Sequence, residues 1–401
     1  MEKTRKKVPG TIAKIALMFA AFWTMADMFV VSPLLDTIGA TYPDAPYIAI
    51  NWLYCLSQGT VILGTLFVTA MVTRLSKKNM IILGGCIVLV SGGFGGLVPG
   101  IPLMLVLRGF EGFGAGICIS LIPMLIAELW EDEKTRNQMN SWQAATGCLF
   151  GALCSSLTGI IASRSSWRYS YFIYFFSIVC ILLLAVGLPK GEPEIKQASG
   201  DTKAKMNGQA WELFAFAVIF GILSSCVFAQ ISFLITEYGI GDVATSGMAG
   251  TVNTIGSFAG SMCLPFLFGK LRGRMEGSGC FLMELGGILL LLSAFIVKSS
   301  LLIYVGMFIF GFGNGAIFPY LFCKAGIICE PNSESLTIAW ANIGYYVGMF
   351  VSSFVVSGLL LISNHASFPI GFEVVGCILY GLLAFALDGK ARAAKSGLYR
   401  E

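Results

Sequence analysis

Long apolar runs alternate with short polar breaks along the whole chain. Cutting at the charge and Pro/Gly clusters leaves twelve segments of roughly 20 residues or more, the length a helix needs to cross the hydrocarbon of a bilayer. The expected spans are 12–34, 47–72, 79–98, 102–128, 138–162, 168–188, 210–235, 243–269, 278–297, 300–324, 336–361 and 368–388. The breaks differ in character. MVTRLSKKNM after the second span is basic, GLVPGIP before the fourth is a tight turn, and EDEKTRNQMN after the fourth reads as a solvated charged loop. From Pro189 to Gly208 the chain is polar and lysine-bearing without apolar periodicity, which reads as a linker. The pattern therefore predicts an all-α membrane protein with six helices in 1–188, a linker at 189–209 and six helices in 210–401.

The fourth span, within Leu105 to Trp130, departs from plain hydrophobicity because it contains Arg108 and Glu111. A charge at mid-bilayer depth costs about 2.5 to 3.5 kcal/mol even on lenient insertion scales. On a helix Arg108, Glu111, Gly112, Ala115 and Gly116 share one face, so charge runs into a strip of small residues along which another backbone can approach. Asp27 in the first span, expected to end near Pro33, lies about seven residues below the outer surface, and Arg108 about six, nearly the same level at 1.5 Å per residue. If the first and fourth helices are neighbours, Asp27 and Arg108 can neutralise each other, either as a structural ion pair or as part of a pathway.

Composition removes the soluble alternative. Of 401 residues 56% are hydrophobic and 12% charged, with a mean hydropathy of +0.80. Of the 26 Lys and Arg, Arg164, Arg168 and Lys298 fall on one side and Arg108 within the membrane, while all others fall on the side of the N-terminus. Both termini are therefore expected in the cytoplasm of a multi-pass inner (plasma) membrane protein, and the net charge of +4 reflects orientation rather than nucleic-acid binding. The basic start MEKTRKKV leads into a run extending to about Leu35 with no A-x-A site, so it reads as the first span rather than a signal peptide. Except for Cys329, the twelve cysteines lie in expected helices, without zinc or disulfide spacing, as small apolar fillers. No metal or cofactor is expected.

The halves repeat. GFGAG at 112–116 answers GFGNG at 311–315, Arg74 in the basic turn RLSKK answers Arg272 in KLRGR, and the pair Gly147 and Gly151 answers Gly344 and Gly348, all at offsets of roughly 200 residues. Gly112, Gly114, Gly116, Gly311, Gly313 and Gly315 are read with these pairs as helix-packing positions.

These features resemble the major facilitator superfamily over essentially the whole chain, and within it the twelve-helix drug and metabolite efflux branch that includes sugar-efflux permeases. The fourth-helix motif R-x-x-q-G-x-g-a is matched by Arg108, Gly112, Gly114 and Ala115, with Glu111 in the glutamine position. The inner motif G-x-L-A-D-R-x-G-R-K is matched in its basic half by Arg74, Lys77 and Lys78, while Thr73 replaces its aspartate and Ser76 its glycine. Trp167 and Arg168 match the W-R turn before the sixth helix. The glycine-proline signature that marks proton antiporters is not present between Thr146 and Gly151. The resemblance implies two halves of parallel arrangement, alternating access to a site near the midplane, and gating by the inner motif, with Arg272 as its second-half counterpart.

Function is then expected as secondary transport of a small organic solute by a monomer, by proton-coupled efflux of a drug-like compound or metabolite. Asp27 and Glu111 competing for Arg108 would form the charge network. Trp23, Trp52, Tyr54, Gln58 and Gln143 are cavity candidates in the first half. Gln230, Asn253, Asn314, Asn342 and Tyr345 are those in the second, where helix–helix hydrogen bonding is the plainer role for each. Glu284, Lys324 and Glu373 are expected to snorkel from helix ends. The alternatives are uptake or exchange of an organic anion attracted by Arg108, and a non-transporting sensor or partner protein. An enzyme is not expected: GFGAG lies inside an apolar helix rather than after a strand, and the single histidine, His365, falls in an outer loop.

Overall fold

The computed structural model describes residues 10–130, 132–189, 207–271, 274–328 and 334–398. Among these there is no strand, as a bilayer demands of a chain that is not a closed barrel, because backbone groups in hydrocarbon must be satisfied within each segment. The helices are α1 (Thr11–Phe19), α2 (Ala21–Phe29), α3 (Leu35–Thr41), α4 (Tyr47–Met71), α5 (Lys77–Phe94), α6 (Ile101–Leu129), α7 (Glu133–Arg164), α8 (Trp167–Ser170) and α9 (Ser177–Gly187) in the first part of the chain. They continue as α10 (Gly208–Glu237), α11 (Val243–Leu271), α12 (Met275–Leu292), α13 (Ser300–Ile328), α14 (Glu334–Ile362) and α15 (Ser367–Leu398). Among the described residues eleven spans are long and apolar enough to cross a membrane, and α11, with 29 residues, is a further helix of spanning length. The expected linker lies almost wholly outside the described residues, as do Arg272 and Cys329.

Two compact units emerge from the contacts, Met1–Val31 with Tyr42–Thr202, and Ser32–Thr41 with Lys203–Glu401. In the first, α6 packs along α4 and α5, and α2 along α7. In the second, α13 packs along α11 and α12, and α10 along α14. The repeat read in the sequence recurs in the close crossings. A Cβ on Gly112 or Gly116 would come 2.1 Å from the carbonyl oxygen of Ser57 or 2.2 Å from that of Val61 on α4. One on Gly311 or Gly315 would come 2.2 Å from the oxygen of Asn253 or 2.0 Å from that of Ser257 on α11. Gly114 and Gly313 stand 2.7 Å by the same measure from the oxygens of Gly84 and Gly279. The third match is not equivalent. A Cβ on Gly344 would come 2.9 Å from the Phe214 oxygen, whereas one on Gly147, its counterpart, would meet only Met25 and Ala21 side-chain atoms at 3.6 Å or more. Side chains rather than backbone separate α2 from α7, so Gly147 is not held by a close approach.

Two expected boundaries are corrected. The first span does not stop at Pro33: Ser32–Leu34 forms a single 3-10 turn and the chain runs on as α3 to Thr41. Proline cannot donate to the preceding turn, so the helix breaks there without ending. Ser32 Oγ donates to the Phe228 oxygen at 2.8 Å and Ser232 Oγ to that of Pro33 at 3.1 Å, which fixes this segment on α10. The charged sequence after the fourth span is not a loop throughout, because Asp132 accepts from Thr135 N at 2.8 Å and starts α7 at Glu133. Gly100, at φ +88°, turns the chain into α6 in a conformation that only glycine adopts easily.

Candidate functional site

The charge cluster of the first unit is assembled from α2, α4 and α6. Arg108 is 2% exposed, Glu111 0% and Asp27 4%, so no member of the group is solvated. Arg108 Nη1 lies 2.5 Å from Glu111 Oε2, and Nη2 lies 3.2 Å from Asp27 Oδ1. The remaining donors are also used: Nε donates to the Leu53 oxygen at 2.6 Å, and Nη2 to the Asp27 carbonyl at 2.7 Å and Ser57 Oγ at 3.0 Å. Gln58 Nε2 holds the other Asp27 oxygen at 2.8 Å. Tyr174, from the 3-10 segment Tyr171–Phe176, sets its hydroxyl 3.4 Å from Arg108 Nη1 and donates to the Ala26 carbonyl at 3.0 Å.

This arrangement follows from α6 lying against α4. The glycines at 112 and 116 let the α6 backbone meet that of α4 directly, which brings the guanidinium within reach of two α4 groups, Leu53 and Ser57. A planar fork with five donors suits such a set of fixed acceptors, where a lysine would not. One cation is set between two acids. Glu111 Oε1 and Asp27 Oδ1 have no hydrogen-bond donor, so each acid keeps an oxygen that could accept one.

The other expected residues are placed variously. Trp23 is wholly buried, its indole N–H bound to Ser177 Oγ at 2.9 Å and its ring against Gly85, a packed position. Tyr54 is buried and Trp52 and Gln143 are half-buried. In the second unit Gln230, Asn253, Asn314 and Tyr345 are buried and Asn342 is half-buried. Tyr345 lies among Phe220, Phe318 and Tyr346 at ring separations of 5.4, 5.0 and 5.7 Å. Of the basic turn, Arg74 is exposed. Lys77 Nζ meets Glu128 at 2.9 Å, and Lys78 Nζ donates to the Ala185 and Leu188 oxygens, both at 2.6 Å, capping α9. Neither Ser57 nor Tyr174 stands out in the sequence; a hydroxyl next to Gln58 in an apolar helix is the available signal for the first, and nothing points to the second.

Snorkelling is corrected for one of the three second-half charges. Lys324 is partly exposed and paired with Glu276. Glu373 is 0% exposed, because α15 packs against α12 along its length and places the residue between helices rather than at an interface.

The family model described as Major Facilitator Superfamily matches residues 17–353. Solved structures with the same fold include the inward-open xylose transporter XylE from E. coli, with a TM-score of 0.75 at 14% identity over 93% of this chain and 95% of that one. The nucleoside transporter NupG gives 0.75 at 11% identity over 93% and 99%. A bacterial homologue of the human lysosomal transporter Spinster, inward-facing and unoccupied, gives 0.70 at 14% over 96% of both chains. Among curated proteins, the quinolone resistance protein NorB of Staphylococcus aureus is 28% identical over 187 residues, which is 46% of this chain and 38% of NorB. The match thus spans well under half the length of that relative.

Proposed function

This chain belongs to the Major Facilitator Superfamily, and from that premise we propose that it is a proton-coupled secondary transporter that exports a drug-like compound or metabolite by alternating access. The observation that carries the proposal is the composition of the first-unit cluster: one arginine and two acids, all buried. With both acids ionised the group holds a net negative charge where solvation is absent, and uptake of one proton removes it. A proton on Asp27 or Glu111 weakens that acid's hold on Arg108, and the two oxygens without donors are the places where the change is felt. The partial similarity to a quinolone resistance protein supports a drug-like substrate. The protein acts as a monomer in the inner membrane with both termini in the cytoplasm.

Anion exchange at Arg108 has less support, since the guanidinium is 2% exposed and its donors already bind Leu53, Asp27, Ser57 and Glu111. The test is flux in proteoliposomes under an imposed pH gradient with amphipathic cations, a fluoroquinolone, sugars and carboxylates. Gradient-driven movement of an amphiphile that is lost in Asp27→Asn supports the reading. Gradient-independent exchange of carboxylates contradicts it, and absence of flux with every compound favours the sensor alternative.

A further inference from the structure

The second unit buries an acid of its own, and it is supplied quite differently. Glu373 on α15 is 0% exposed. Its Oε1 is 3.1 Å from Cys377 Sγ, one turn on, and its Oε2 has no hydrogen-bond partner. That oxygen lies against α12, where a Cβ on Gly287 would come 2.5 Å from it. Glu284, one turn before Gly287 on the same helix, has a side-chain oxygen that is likewise buried and unpartnered. A second thiol, Cys280, stands beside Cys377.

Among the described residues no cation pairs with either acid. Helix α15 packs against α12, α10 and α14. Among α10, α12 and α14 there is no Lys, Arg or His, and their acids other than Glu284 are Glu276, Glu212, Glu237 and Glu334. Glu276 is already bound to Lys324 of α13, and Glu237 to His365 at 2.5 Å. The basic groups on α15 begin at Lys390, some four to five turns beyond Glu373, while Arg274 and Lys298 flank α12. A carboxylate so enclosed is strongly disfavoured unless something neutralises it. A donor on one oxygen and none on the other leave a proton as the ligand that fits, and Gly287 lets the α12 backbone come close to Oε2.

We propose that Glu373, with Glu284 as its acidic neighbour, is a second proton-binding site at the contact of α12 and α15, distinct from the Asp27–Arg108–Glu111 cluster. Binding one proton turns two like charges into one and lets Glu373 carry an O–H in place of a buried anion. The site depends on neither the substrate nor the direction proposed above, so it can fail or stand independently of them.

The experiment is infrared spectroscopy of the full-length protein in lipid nanodiscs at neutral pH, read in the carboxylic-acid C=O region. The expected result is a band that shifts on transfer to heavy water, persists in Asp27→Asn and is lost in Glu373→Gln. A Glu373→Gln spectrum identical to wild type in that region overturns the proposal, as does a band that never exchanges with deuterium. A band that appears only when sodium is replaced by choline overturns it in favour of a metal cation. Should Glu373→Gln fail to fold, Cys377→Ala keeps the acid and removes its donor. The band then moves to higher frequency if Glu373 is protonated, and an unmoved band counts against the site.

Discussion

Arg108 in the first unit meets Asp27, Glu111, Leu53 and Ser57, so a buried charge is answered on every side, whereas Glu373 in the second is as deeply buried and has only the Cys377 thiol. The helix crossings behind them are nearly the same, with Gly112 and Gly116 against α4 matched by Gly311 and Gly315 against α11. The repeated backbone therefore does not dictate the chemistry. Asparagine at 253 and glycine at 311 stand on the crossing of α11 and α13, and no arginine enters it. One unit keeps charge by pairing it, and the other keeps an acid that must lose its charge.

The largest effect should come from breaking the paired side. Arg108→Ala leaves two buried acids without their cation, a change that costs about 3 to 5 kcal/mol, and we expect little folded protein on size-exclusion chromatography. Arg108→Lys should recover only part of it, since one ammonium cannot reach the Leu53, Ser57 and two acid partners together. The common frame can be broken next. Gly315→Val drives a side chain into the Ser257 carbonyl and should cost about 1 to 3 kcal/mol or more, read as a lower melting temperature, while Gly147→Ala should leave it nearly unchanged.

Asp27→Asn tests the functional half of the comparison. Isosteric, it keeps the Gln58 contact possible but removes the ion pair at 3.2 Å. Gradient-driven transport should fall by about tenfold or more, the equivalent of one charge-assisted hydrogen bond, with folding retained. The smallest effects belong to the basic turn. Lys78→Ala should cost about 0.3 to 1 kcal/mol through the uncapped end of α9. Lys77→Ala should cost about 0 to 1 kcal/mol, because Glu128 is 43% exposed and water screens the pair. A larger loss of transport than of stability in either variant would place these lysines in gating.

Much of this is legible in the sequence alone. Apolar run length gives the spans, and equal counting depth put Asp27 and Arg108 at one level. What counting could not supply was lateral position. Trp23 looks like a cavity residue in sequence and is instead packed on Gly85, because which face of a helix meets a neighbour depends on the crossing and not on the span. Glu373 looked close enough to a helix end to snorkel, yet α12 covers it. Pro33 looked like a terminus and proved to be a break, since the hydrogen bonds holding Ser32 and Pro33 come from residues about 200 positions away.

The sequence by itself determined that the chain is helical and crosses a membrane, that it is built twice, and that charge sits inside it, because these follow from hydropathy, spacing and residue type along one dimension. Tertiary structure alone decided which buried charges find partners. Neutralisation acts over a few ångströms between side chains on different helices, and that distance is fixed by how closely the backbones cross.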